Sequence, residues 1–287
     1  MKGRGWMRAA ALLALVLVLL AVPVMADMGP KDQLTITVVN PPDELYYLDL
    51  LTPECSSYDN LYQEEELDEQ MVQALFDAAP EGWGPALAGG TGVPMWGDLV
   101  GSPDQDGNMV HSFGYVGVPT VYRIVVVTQS GQVQLGPETR RLVMQSSAVY
   151  DYAANTLRTP PVWLAYLMQY LATCLPTVLL ELAVLVLFRF SLRQNLALVI
   201  GVNAATQLAL TAIVGTALLQ SGTLSAWMLQ FPVELGILLA EMAVYYRWLK
   251  GHSPRRRCAY AAAANLLSWA VGFFTIPQQF SWVVRWL

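Results

Sequence analysis

The 287-residue chain is 55% hydrophobic and 13% charged, with a formal net charge of −6, which is too apolar and too sparsely charged for an ordinary soluble domain of this length. It reads as a membrane protein, and its acidity argues against a nucleic-acid partner. The charge is also segregated: 19 of the 22 acidic residues fall between Asp27 and Asp151, while Glu181, Glu234 and Glu241 sit inside apolar runs.

The chain opens with Lys2, Arg4 and Arg8, continues as an apolar stretch over 9–22 and reaches Val24-Met25-Ala26, the layout of a secretory signal peptide over residues 1–26. Its apolar stretch falls short of the ~20 residues a spanning helix needs. Asp27, where a lipoprotein would carry cysteine, offers no lipid attachment point.

Residues 27–159 are expected to form an exported domain in which 19 acids face Lys31, Arg123, Arg140, Arg141 and Arg158, a net charge near −14. Alternation over 34–39 and a β-prone run over 122–128 predict strands, and Ser130-Gly131 turns the second into a hairpin with 132–135. A further strand is expected over 141–147. Between them, Leu67, Met71 and Leu75 recur every four residues behind Glu64, Glu65 and Glu66, predicting one amphipathic helix with acids in its first turn. The Gly- and Pro-rich stretch 80–97 reads as a long loop, functional or mobile. The expectation is a small β-rich, sandwich-like domain with one helix.

Motifs for chemistry are scarce. Asp104, Asp106 and Asn108 alternate, but the glycine comes fourth where a calcium loop needs it sixth and no Glu stands twelfth, so a hairpin turn is expected. His111 and His252 lack metal partners at a useful spacing and suit solvated or turn positions. Cys55, Cys174 and Cys258 fall in three different compartments and make neither a disulfide framework nor a metal site. No nucleophile or zinc-protease motif is present. A non-enzyme without cofactor is expected.

Residues 160–287 contain four apolar runs, 161–188, 196–219, 226–246 and 258–284, each long enough to span; the fold class is therefore α+β, a β-rich domain followed by a four-helix transmembrane bundle. "RFSLR" and "RWLKGHSPRRR" together hold seven Lys and Arg, whereas "QSGTLSAW" holds none. This places the basic loops in the cytoplasm and the β-rich domain outside. Trp163, Tyr166, Trp282 and Trp286 suit the outer interface and Tyr245 and Trp248 the inner one. The location implied is the bacterial cytoplasmic membrane, multi-pass, without a cytoplasmic C-terminal tail.

The sharpest pattern is a polar seam. Glu181, Asn203, Glu241 and Asn265 all fall roughly 9 to 11 Å below the cytoplasmic edges of their runs at 1.5 Å per residue. Gln169, Thr173, Thr177 and Glu181 share one face, as do Asn203, Gln207 and Thr211. Glu234 and Glu241 lie seven apart, nearly two whole turns. Lipid exposure of a central ionised acid costs ~2.5 kcal/mol or more, so the stripes should face one another. No Lys, Arg or His lies in the runs to neutralise the acids. Each must be protonated, hydrated or paired with a bound cation, with amide hydrogen bonds from Asn203, Gln207 and Asn265.

The stretch "ADMGPK" (26–31), followed by the β-rich region and by runs carrying "VNAATQ" (202–207) and the Glu234–Glu241 spacing, resembles uncharacterised membrane proteins of Gram-positive anaerobic bacteria. The resemblance implies the topology and carries no activity. Two functions are consistent with the residues: a bundle that handles protons, cations or a small solute with an exported gating or recruiting domain, and a non-catalytic envelope sensor or assembly factor whose exported domain binds a wall component or a protein. The partners implied are the lipid bilayer, a proton or cation, and a partner subunit or second copy, since four spans make a thin bundle.

Overall fold

In β1 (Gln33–Val39) every second side chain, Leu34, Ile36 and Val38, turns into the interior, as the two-residue period of a strand requires. The computed structural model describes residues 29–61 and 67–287; the signal-peptide segment and Glu64, Glu65 and Glu66 lie outside the described residues. β1 pairs antiparallel with β6 (Met109–Gly114) and parallel with β10 (Gln145–Asp151), between β11 (Thr156–Arg158) and β5 (Ser102–Pro103) at the edges. The second sheet runs β4 (Gly84–Pro85), β2 (Tyr46–Thr52), β7 (Val121–Thr128), β8 (Val133–Leu135), with β9 (Thr139–Arg140) also on β7. The short β3 (Cys55–Tyr58) meets Thr91 through isolated bridges. One apolar core, including Ile36, Leu50, Phe113, Ile124 and Tyr150, draws on both sheets.

The expected strands at 34–39 and 122–128 and the hairpin to 132–135 are present, and Asp104 to Asn108 closes the β5–β6 hairpin. Two expectations for this region need correction. Of the two alternatives for the 80–97 loop, functional or mobile, the mobile one does not hold: Ala86, Leu87 and Met95 are fully buried, and Asn60 bonds Ala86 O, Thr91 Oγ1 and Met95 N at 2.8–2.9 Å. His111 is buried inside β6, 3.2 Å from the Tyr46 hydroxyl, not solvated.

The expected helix is α1 (Glu69–Asp77), which buries Met71 and Leu75. Asp68 caps it, accepting from Gln70 N at 2.8 Å and Met71 N at 3.2 Å. Asp68→Ala should lower local stability by about 1 kcal/mol, read as faster hydrogen exchange at those two amides.

The strand expected at 141–147 starts only at Gln145, because 141–144 docks the sheets onto the helices. The Arg141 guanidinium holds this segment through the carbonyls of Val118 (3.0 Å), Val143 (3.1 Å) and Met144 (2.6 Å) and pairs with Asp32 at 3.2 Å. Met144 N then donates to Leu219 O and Ser147 N to Leu287 O, both at 2.8 Å. Val143, Ala165, Leu219, Val283 and Leu287 form an apolar cluster at this junction.

Among the described residues, three helical elements are long and apolar enough to cross a membrane, Val162–Leu187, Leu192–Trp248 and Pro254–Val284, where the sequence predicts four spans. The second and third predicted runs fall within one of these elements, which is broken at Gly222 inside "QSGTLSAW". The helices are α2 (Val162–Leu187), α3 (Leu192–Leu210), a π-helical turn (Thr211–Gly215), α4 (Thr216–Trp248) and α5 (Pro254–Val284). Within the 57-residue second element only Gly222 leaves helical geometry, at φ 79°, ψ −173°. A straight helix of that length would extend ~86 Å, yet Asn195 bonds Lys250 through both its amide atoms (3.1 and 2.8 Å) and Thr206 bonds Glu241. The element therefore doubles back at Gly222 into antiparallel arms.

Leu175, Leu179, Leu187, Leu208, Met228, Leu239 and Phe274 point outward, exposed. An apolar exterior around helices with polar interior stripes is compatible with contact with a lipid bilayer.

Candidate functional site

All four long helical segments contribute to a buried polar layer near the end of the bundle that carries Arg189, Arg193, Arg247 and Arg255. Glu181 comes from α2, Asn203 and Thr206 from α3, Glu241 and Tyr245 from α4, and Tyr260 and Asn265 from α5. Glu181 and Glu241 are each 1% exposed. Glu181 Oε2 accepts from Asn203 Nδ2 at 2.7 Å and from the Tyr245 hydroxyl at 3.2 Å. Glu241 Oε1 accepts from Thr206 Oγ1 at 2.7 Å and Oε2 from Asn265 Nδ2 at 2.9 Å. The two asparagines are built alike: each also donates to the carbonyl four residues back on its own helix, Val199 and Ala261, which fixes the amide toward its carboxyl. The Tyr260 hydroxyl closes the layer on Glu181 O at 3.4 Å.

Both carboxyl groups are buried in this one layer, Glu181 on Asn203 and Tyr245 and Glu241 on Thr206 and Asn265. Among the described residues neither has a cationic side chain as partner. Buried carboxyls without a cationic partner are costly to keep charged. That gives the layer a chemistry that helix packing alone does not need.

The six seam residues thus separate into two groups. Glu181, Asn203, Glu241 and Asn265 meet in the layer. Gln207 and Glu234 do not; they line a cavity of about 170 Å³ nearer the sheets, together with Gln169, Thr211, Gln230 and Thr275. The split follows from the helical rise: Glu234 lies seven residues, ~10 Å, along α4 from Glu241.

Local backbone features open this cavity. The π-helical turn begins at Thr211 and ends at Gly215, against which the Gln169 amide packs so closely that a Cβ there would lie 2.3 Å from Oε1; such turns recur at functional sites. Pro176, in the wall, has no N–H and deprives the Ala172 carbonyl of its helical donor. The equivalent carbonyl below Pro277, that of Phe273, is satisfied by Trp227 Nε1 at 3.1 Å.

Sequence reasoning missed Thr206, Tyr245 and Tyr260. Tyr245, assigned above to the inner interface, is wholly buried. Its position four residues after Glu241 was the available signal, since that spacing shares a helical face. Thr206 lies three residues after Asn203 and one beside Gln207, off the four-residue stripe.

No family model, curated protein or solved structure matches the chain.

Proposed function

We propose that this membrane protein handles protons or small cations through its helical bundle, with the Glu181–Glu241 pair as the loading site. The observation that carries the reading is the burial of both carboxyls against amides and hydroxyls of the other long helical segments, with no cationic side chain paired to them among the described residues. Glutamines would join the helices by hydrogen bonds without the penalty of burying an acid. A pair that shares one proton can accept a second or give up the first as its surroundings change. In this reading each arm of the doubled-back element crosses the bilayer, making four crossings, with the basic loops in the cytoplasm and the sheets outside. The bundle is non-enzymatic.

A second reading, a sensor or assembly factor, is favoured by the direct hydrogen bonds from Met144 and Ser147 to Leu219 and Leu287, through which a ligand on the sheets would reach the helix ends.

Reconstitution separates the two. In vesicles holding a pH-sensitive dye under an imposed potassium diffusion potential, the full chain should acidify the lumen, and the E181Q/E241Q double variant should fall at least about tenfold, toward the protein-free rate, while eluting normally from a sizing column. Wild-type flux in the double variant would overturn the loading-site reading. Absence of flux in both would leave the sensor reading.

A further inference from the structure

Two segments of the sheet domain join into an exposed apolar tip. Trp96 and Gly114 exchange backbone hydrogen bonds at 2.9 and 2.8 Å, and Gly117 N donates to Pro94 O at 2.9 Å. Gly117 packs so closely on Val93 O that a Cβ there would collide with it. The two segments therefore move as one. They present Val93, Trp96 and Val116 at 46%, 53% and 51% exposure. Trp96 stacks on the half-buried Tyr115, ring centroids 4.3 Å apart and 10° from parallel, and Lys31 Nζ lies 5.4 Å from the Tyr115 ring centre. Tyr115 holds φ 75°, a strained conformation for a bulky residue and one of the kind that clusters at binding surfaces.

Charge sets this tip apart from the domain that carries it. "TGVPMWG" (91–97) and "GYVGVP" (114–119) contain no charged residue, whereas residues 27–159 hold 19 acids. An apolar patch of this kind on a soluble surface marks contact with a protein or a membrane.

The sheet topology decides between the two. β10 meets the helices on both flanks: Ser147 N donates to Leu287 O on one side, while Met144 N donates to Leu219 O and Met144 O accepts from Gln33 N on the other. Asp32 and Gln220 line one recess there. The helix ends thus run along the row from β10 to the start of β1. β6 is the next strand in that row, with Gly114 opposite Gln33, and Trp96 pairs beyond it. At ~4.8 Å per strand, Trp96 lies ~14 Å from β10 at the level of the helix ends, past the bundle and over the surrounding lipid. Trp, Tyr and Lys are the residues that membrane–water interfaces favour.

We propose that Val93, Trp96, Tyr115 and Val116 form a lipid-docking tip, seated at the headgroup-to-acyl boundary of the leaflet beside the sheets. This rests on the helices crossing a bilayer and is independent of the loading-site reading. Docking there would hold the sheets at a fixed tilt against the helix ends that Met144 and Ser147 grip.

The test is nitroxide labelling of the full chain in phosphatidylcholine bilayers, with Cys55, Cys174 and Cys258 replaced by serine. Single labels go on Val116→Cys at the tip, Val133→Cys at the far end of the sheets and Leu239→Cys on the helix exterior. Power saturation then compares collisions with oxygen, which concentrates in lipid, and with a water-soluble nickel chelate. The oxygen-to-chelate ratio at 116 should exceed that at 133 severalfold and approach that at 239. A ratio at 116 equal to that at 133, with 239 in lipid, overturns the proposal alone. Shielding of 116 from both reagents would mean a protein partner or a second copy, and overturns it too. Water at 239 overturns it together with the membrane reading. Should the serine background not fold, bromolipid quenching of the fluorescence difference between the natural chain and Trp96→Phe gives the same answer: the Trp96 share should lose most of its intensity, and an unquenched share refutes docking.

Discussion

Gly222→Val should cost roughly 3 kcal/mol of bundle stability, and Gly222→Ala somewhat less, because the residue sits at φ 79°, ψ −173°, a region occupied essentially by glycine alone. The whole reversal of the Leu192–Trp248 element depends on this one position, as no other residue in it leaves helical geometry. Any Cβ at this position disfavours the turn relative to a continued helix, which would pull Asn195 from Lys250 and Thr206 from Glu241. Gly236 provides the control. It lies in α4 with no atom within 4 Å of where a Cβ would stand, so Gly236→Ala should stabilise the helix by up to about 1 kcal/mol. The same chemical change thus has opposite signs fourteen residues apart. Unfolding of the full chain in mixed detergent micelles, followed by circular dichroism, checks both. Equal effects at the two sites would mean that the turn is not held by Gly222.

The same contrast shows what could be read from sequence. Periodicity located β1, β7, α1 and the apolar runs, and a depth count along those runs brought Glu181, Asn203, Glu241 and Asn265 to one level, where the structure joins them by hydrogen bonds. Helical rise is nearly constant, so position along a helix translates directly into distance along its axis. It does not tell which side chains reach across: Tyr245 has a long side chain and an interfacial residue type, and only packing decides whether it snorkels or turns inward. The reversal falls within "QSGTLSAW", where a connection was expected, but its reduction to the single residue Gly222 was invisible for a different reason. A left-handed single-residue turn needs only a glycine, and "QSGTLSAW" otherwise carries no stop signal. β2, "YYLDLLT", was missed because all seven residues are buried, which removes the alternation that marks a half-exposed strand, and because Asp49 stands at its centre.

Asp49 supports the last expected result, on the pH response of the sheets. Its carboxylate is fully buried and accepts from Leu50 N at 2.6 Å, Leu87 N at 3.0 Å and Ala88 N at 2.9 Å, tying the 80–97 stretch to β2. Burial pushes it up to about 6 in spite of those three N–H groups. Burial pushes His111 the other way, down to about 4. Between pH 4 and 6 folded Asp49 retains a proton that the unfolded chain releases, so its contribution to stability falls as pH rises, by about 3 kcal/mol over two units. Folded His111 refuses a proton that the unfolded chain accepts below ~6.5, so its contribution rises with pH over the same window by a similar amount. The two slopes oppose and nearly cancel. His111→Gln should therefore leave sheets whose stability falls from pH 4 to 6, and Asp49→Asn sheets whose stability rises. Asp49→Asn should also lose about 3 kcal/mol at pH 7, because its NH₂ group faces backbone donors where an acceptor stood. Protection of the β2 and β7 amides from hydrogen exchange, measured in the full chain at matched pH, gives all three profiles. Other titrating groups are common to the three proteins and cancel in the differences. Parallel profiles for the two variants would show that neither burial acts on the proton balance as the geometry requires.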